Sequence, residues 1–173
     1  MKNTLTIILL LLAAQVSKAQ SPESRLKEMG IVLPAVGNPV ANYVKFVRSG
    51  NLVFLSGHGP EDKTRGGYIT GKLGKDLSIE EGYAAARLTG ISLLATLQAA
   101  VGDLGKVKRI VKVLGMVNGT ESFTDQPKVI NGFSDLMVAV FGDAGKHARS
   151  AVGMASLPFN MAVEIEMVVE VEN

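Results

Sequence analysis

Few side chains in this 173-residue chain can do chemistry, and their spacing limits what that chemistry is. There are two histidines, His58 and His147, and no cysteine. The lack of cysteine removes disulfides, thiolate metal ligands and a cysteine nucleophile. Two histidines can act as the acid and base of RNA cleavage, but nothing in their spacing joins these two, and both read as ordinary surface residues of loops. Gly66-Gly67-Tyr68-Ile69-Thr70-Gly71-Lys72 has the spacing of a phosphate-binding loop. Leu73 follows where Ser or Thr should hold magnesium, and no buried strand leads in, so a glycine-rich surface loop is the better reading. No GxSxG turn and no HExxH pair occurs. Asn118-Gly119-Thr120 matches a glycosylation acceptor, but so short a pattern reads first as a turn. The most informative pair is Arg149, entering a strand directly after a turn, and Glu164, fifteen residues on in the strand expected to neighbour it. A guanidinium there can hold a carboxylate by two parallel hydrogen bonds, and a carboxylate beside it could orient a water or take its proton. From spacing alone, a structural Arg–Glu ion pair is the simpler account.

Residues 1–19 read as a secretory signal peptide: Lys2, then the apolar run Leu5 to Ala14, then Ser17-Lys18-Ala19 before Gln20. That apolar core is short for a bilayer span, which takes about 20 residues. No other stretch looks long and apolar enough to cross. The expectation is an exported protein, periplasmic or secreted, with no membrane partner after cleavage and one domain over residues 20–173. The chain has 18 Lys+Arg and 16 Asp+Glu; Lys2 and Lys18 fall in the leader, so the rest carries 16 of each sign. A mature chain of zero formal charge argues against nucleic acid as a partner.

The elements that must position these residues follow from caps and periodicity. Ser21-Pro22 starts a short helix ending at Gly30. Residues 31–42 are punctuated by Pro34, Gly37 and Pro39 and read as a loop. Tyr43–Arg48 and Leu52–Leu55 make a hairpin across Ser49-Gly50-Asn51, with a short third strand at Tyr68–Thr70. Ser78-Ile79-Glu80-Glu81 is a capping box opening a helix to about Val101, its apolar side set by Ile79, Tyr83, Ala86, Ile91, Leu94, Leu97 and Val101. Val107–Val117 is β-branched and reads as a long buried strand. Thr124-Asp125-Gln126-Pro127 opens a second long helix with Val129, Ile130, Phe133, Met137 and Phe141 on its apolar side. Strands at Ser150–Ala155 and Met161–Val171 close the chain. The order β-β-(β)-α-β-α-β-β predicts an α+β fold, a mixed sheet with two helices on one face. The apolar second half of 107–117 leaves the other sheet face in need of cover, which implies partner subunits.

With these elements placed, a resemblance is legible. Asn42-Tyr43 followed by Gly50-Asn51-Leu52-Val53-Phe54-Leu55-Ser56-Gly57 is similar to the opening strand-turn-strand of the Rid family. Its members are reactive intermediate/imine deaminases, also called YjgF-type or L-PSP endoribonuclease-like proteins. Val113–Asn118, Val129-Ile130-Asn131, His147-Ala148-Arg149-Ser150-Ala151-Val152 and Leu157-Pro158 with Val163-Glu164-Ile165-Glu166 resemble its later blocks, in order, over about Leu26 to Val171. The longer stretches at 60–76 and 118–126 look most like a divergent branch. The resemblance implies a chorismate-mutase-like fold, a homotrimer with clefts between subunits, and hydrolysis of 2-imino acids or enamines to 2-oxo acids and ammonia, with no metal or organic cofactor. It implies Arg149 and Glu164 as catalytic residues. Tyr43, Ser56, Asn131 and Arg149 would hold a small carboxylate-bearing substrate. Two positions depart from the family pattern: Ala151 stands where many family deaminases have Cys, and His58 where Gln is common. The alternative expectation is a non-catalytic trimer that binds a small carboxylated metabolite, and the third is an endoribonuclease.

Overall fold

The computed structural model describes residues 20–37, 39, 41–62, 64 and 66–172, so the leader reading of 1–19 lies outside the described residues. Helix α1 (Pro22–Glu28) is capped by the Ser21 side chain, which accepts from Ser24 N–H. It is followed by β1 (Phe46–Ser49), β2 (Leu52–His58), β3 (Glu61–Asp62), β4 (Gly67–Tyr68), α2 (Ile79–Val101), β5 (Val107–Asn118), α3 (Gln126–Phe141), β6 (Ala148–Met154) and β7 (Val163–Val171). The main sheet has the order β1-β2-β7-β5-β6. Its β5–β6 pair is parallel and the other pairs are antiparallel. This is the expected mixed sheet, with α2 and α3 packed together on one face.

Local chemistry explains the boundaries. The Ser78 capping box is complete: its hydroxyl accepts from Glu81 N–H while the Glu81 carboxylate accepts from Ser78 N–H. Gly102, at φ 80°, ends α2 in a conformation that glycine adopts freely. Along β7, Val163, Ile165, Met167, Val169 and Val171 are buried under the helices, while Glu164, Glu166, Val168 and Glu170 face the other way. On that open face Val47, Phe54 and Val152 are exposed.

Four expectations need correction. The third strand is not Tyr68–Thr70 in the main sheet. Tyr68 instead belongs to a separate two-stranded ribbon, β3–β4, and Thr70 makes only an isolated bridge to Met161. The buried side of α2 holds the expected Ala86, Leu94, Leu97 and Val101 but is shifted in its first half: Ile79, Tyr83 and Ile91 are only half-buried, whereas Gly82, Ala85, Thr89, Gly90 and Leu93 are buried. Small residues win that face because α3 comes so close. A Cβ at Gly132 would lie 2.0 Å from the Tyr83 carbonyl oxygen, and one at Gly90 would lie 3.0 Å from Leu136. Third, α2 has 23 residues and a window of mean hydropathy 1.3, so by length and composition it could cross a membrane. Packing against α3 and the sheet accounts for that apolarity. Finally, Asn118 is not in a turn.

Asn118 ends β5 at 0% exposure. Its Nδ2 donates to Asn160 Oδ1 at 3.0 Å, and its Oδ1 accepts from Lys72 Nζ at 2.9 Å. Lys72 Nζ also donates to the carbonyls of Gly119 and Ala155. Asn118 N–H donates to Ala162 O, and Asn118 O accepts from Leu73 N–H. An amide so committed is no glycosylation acceptor, and an ammonium so committed has no capacity left to cradle a phosphate. This node ties the 66–77 loop to the end of β5 and to the turn that leads into β7.

Substituting Gly132→Ala forces α2 and α3 apart against backbone rather than against a flexible side chain. The expected loss of unfolding free energy is about 1–3 kcal/mol or more, read by chemical denaturation. A variant as stable as the wild type would refute this account of the helix contact.

Candidate functional site

The sequence-predicted residues fall into two groups. The first surrounds a cleft of about 510 Å³ at the end of β2 and the start of β7, lined by Tyr43, Gly57, His58, Tyr68, Phe159 and Glu164 among others. Gly57 is required here by close approach: a Cβ would lie 2.1 Å from Glu164 Oε1, so the carboxylate rests directly on its backbone. Burial raises the Glu164 pKa above the ordinary glutamate value, and the Glu166 charge two residues along adds to it. Tyr43 is half-exposed on the cleft wall. Ser56 is next to the cleft rather than in it. It lies in a depression of the open sheet face with Phe54, Lys112 and Glu166, and its hydroxyl donates to Val44 O at 2.7 Å.

The second group is Arg149, Asn131 and Ser134. Arg149 is paired with Val113, a residue buried under the helices, so its side chain emerges on the helix side of edge strand β6. Its NH1 donates to Asn131 Oδ1 at 2.9 Å and to Ser134 Oγ at 3.0 Å. Ser134 Oγ and His147 Nε2 are 3.0 Å apart, and His147 Nδ1 is 2.7 Å from Gly145 O. Since a carbonyl only accepts, Nδ1 carries the proton and Nε2 accepts from Ser134. The guanidinium is thus oriented through one nitrogen by a helix amide and a histidine-anchored hydroxyl. Its Nε and NH2 make no hydrogen bond among the described residues, which leaves a two-donor edge for a carboxylate.

The expected Arg149–Glu164 ion pair does not form. β6 and β7 are not neighbours, because β5 runs between them. Glu164 is paired with Met116 and Arg149 with Val113, and these alternate on opposite faces of β5. The crossover through α3 places β6 beside β5, which sequence spacing does not reveal. Nor are the histidines ordinary surface residues: His147 lies in the loop before β6, as expected, but is half-buried. His58 ends β2 at 8% exposure, with Nδ1 2.7 Å from Ser56 O and Nε2 2.8 Å from Thr96 Oγ1 on α2. Ser134 and His147 are the residues that sequence reasoning missed. The signals were the i, i+3 spacing of Asn131 and Ser134 on a helix and the i, i+2 spacing of His147 and Arg149 at a strand start. Among the described residues no three His, Asp or Glu side chains gather as a metal would need.

Burial holds both His58 and His147 below the ordinary histidine pKa of 6.5. As pH falls through 6.5 the unfolded chain takes up protons that the folded chain refuses, so these residues lower stability toward acid. Glu164 acts in the opposite sense: its raised pKa makes stability fall as pH rises above 4.5 toward its folded value. The difference between wild type and His58→Gln isolates the histidine term. The expected result is that the variant loses less melting temperature than wild type between about pH 7 and about pH 5. Parallel melting curves would refute it.

The chain matches the family model described as "YjgF/chorismate_mutase-like, putative endoribonuclease" over residues 23–171. It is 48% identical to protein TCP17 of Trypanosoma cruzi over 151 residues, which is 87% of this chain and 94% of that one. Among solved structures, it resembles a protein of unknown function from Agrobacterium tumefaciens at 45% identity and TM-score 0.80, covering 87% of this chain and 94% of that one. It also resembles a "putative endoribonuclease" from Shewanella oneidensis at 34% identity and TM-score 0.83, covering 88% of this chain and 100% of that one. The match over nearly all of the described residues, with the same sheet-and-helix architecture, leads to one conclusion: this chain belongs to the YjgF/chorismate mutase-like family of L-PSP endoribonuclease-like, RidA-type proteins.

Proposed function

We propose that the chain is a hydrolytic imine deaminase that converts 2-imino acids or their enamines to 2-oxo acids and ammonia, and that it works as a homotrimer. The observation that carries this reading is the free two-donor edge of Arg149, preset by Asn131 and Ser134. A guanidinium oriented before binding loses little freedom when it takes a carboxylate, and it fixes the adjoining carbon in place. The split of the candidate residues supports the trimer. Arg149 and Asn131 sit at edge strand β6, while Tyr43 and Glu164 sit on the β2–β7 side. A cleft needing both is completed when the β6 edge of one subunit meets the Glu164 cleft of another, and the same contact covers Val47, Phe54 and Val152 on the open face. Export through the leader at residues 1–19 is part of the same proposal.

The chemistry needs only these groups. The substrate's protonated imine carbon is electrophilic. Glu164 takes a proton from water as the water oxygen bonds to that carbon. It then returns the proton to the nitrogen and takes the hydroxyl proton as the C–N bond breaks, so that the carbonyl forms and ammonia departs; that proton passes to the ammonia, and the 2-oxo acid and ammonium leave. A glutamate of raised pKa suits both steps, since it accepts and gives up a proton closer to neutrality.

Arg149→Ala removes a bidentate contact to a charged group, worth about 2–5 kcal/mol, so kcat/KM for 2-iminopropanoate generated in situ should fall about 30- to 5,000-fold. Glu164→Gln should remove the acidic limb of the pH–rate profile, along which wild-type activity rises with pH as the carboxyl ionises. Wild-type protein that binds 2-oxo acids through Arg149 but does not accelerate imine decay would establish the carboxylate-binding alternative. RNA cleavage by nuclease-controlled protein would establish the endoribonuclease.

A further inference from the structure

We propose that Tyr68 and Phe159 form an aromatic wall that selects substrates with a bulky, preferentially aromatic side chain. This rests on the reading of the Glu164 cleft as the substrate site, and names the substrate class that site prefers. The observation behind it is a costly one. Phe159 has φ 54° and ψ 19°, the left-handed region, and the next residue, Asn160, has φ 56°. Bulky side chains rarely adopt that conformation. Phe159 gains no burial in return, for it is 71% exposed. A strained backbone that displays a large apolar ring to solvent serves no purpose in folding this chain, and such strain collects at ligand-contacting sites.

The surrounding structure holds the turn against that strain. Asn160 Oδ1 accepts from buried Asn118, Asn160 O accepts from Gly71 N–H, and Met161 N–H donates to Pro158 O. The exposed ring then lies over Tyr68, with centroids 6.0 Å apart and planes 15° from parallel. Both rings line the same cleft as Glu164, with Pro34 and Met161 extending the apolar surface. A volume of about 510 Å³ is far more than the smallest 2-imino acid needs. With the carboxylate held by Arg149 of an adjoining subunit and the imine carbon at Glu164, the remaining substituent points toward the rings. A flat apolar group there adds a third ring to the stack and leaves water, which a methyl group achieves only in part.

The test compares two substrates and two products. The 2-imino acids of phenylalanine and alanine, generated in situ by an amino-acid oxidase, give kcat/KM values, and phenylpyruvate and pyruvate give dissociation constants by calorimetry. Wild type should prefer the aromatic member of each pair by tenfold or more. Phe159→Gly relieves the strained φ, so it should fold; together with Tyr68→Leu, which leaves the turn untouched, it should cut that preference about tenfold. If no imine is turned over but phenylpyruvate is still preferred, the deaminase reading fails and the aromatic wall stands. Equal affinity for the two oxo acids in wild type overturns the proposal. So does a Phe159→Gly variant that keeps the preference but loses its oligomeric mass, because the ring would then serve the subunit contact.

Discussion

The buried amide of Asn118 is the constraint on which the arrangement of the cleft depends. It is the last residue of a strand, with no water available to satisfy its polar atoms, so each of them must find a partner in the protein. The partners come from two separate stretches of chain: the Lys72 side chain and the Leu73 backbone from the loop after the small ribbon, and the Asn160 side chain and the Ala162 backbone from the turn before the last strand. A fully satisfied buried network tolerates few alternative arrangements, because breaking any bond leaves a desolvated group unpaired. The loop carrying Tyr68 and the turn carrying Phe159 are therefore pinned to the same strand end. Glu164 emerges a few residues after that turn, against the backbone of Gly57.

A second polar chain does the corresponding work at the opposite edge of the sheet. From Gly145 O through His147 and Ser134 to Arg149, each group is oriented by the one before it. Burial keeps His147 neutral at ordinary pH and the adjacent guanidinium charge reinforces this, so Nε2 stays an acceptor. The result is an arginine whose position is set before any ligand arrives. The two halves carry different groups: one has a guanidinium edge preset by Asn131 and Ser134, and the other has a carboxylate of raised pKa in a cleft whose lining includes Lys45 but no guanidinium fork. The open sheet face lies between them, with exposed Phe54 and Val47. That combination is what makes assembly integral to the proposed chemistry.

Much of this was legible in the residues. Caps and turn glycines marked the helix ends to within a residue or two, as at Ser78 and Gly102, because these signals are local: a hydroxyl bonds an amide three residues away whatever the rest of the chain does. Alternation along 163–171 identified the buried face of the last strand for the same reason. The first half of the stripe on α2 was misplaced because periodicity weighs residues by size, while the close approach of Gly132 to the Tyr83 backbone rewards small ones. The histidines were taken for surface residues because an imidazole's burial depends on partners such as Thr96 and Ser134 that are distant in sequence.

By itself, then, the sequence determined the order of the main elements, the mixed α+β class, the family, and the residue types from which the proposed carboxylate-binding site is built. Tertiary structure decided which of those residues meet. Arg149 and Glu164 stand fifteen positions apart and look like partners across adjoining strands, yet the crossover through α3 puts β5 between them. Strand order is a choice among long-range pairings whose loop-closure costs differ little. It is settled by which arrangement buries the apolar faces together, and no local pattern records that sum.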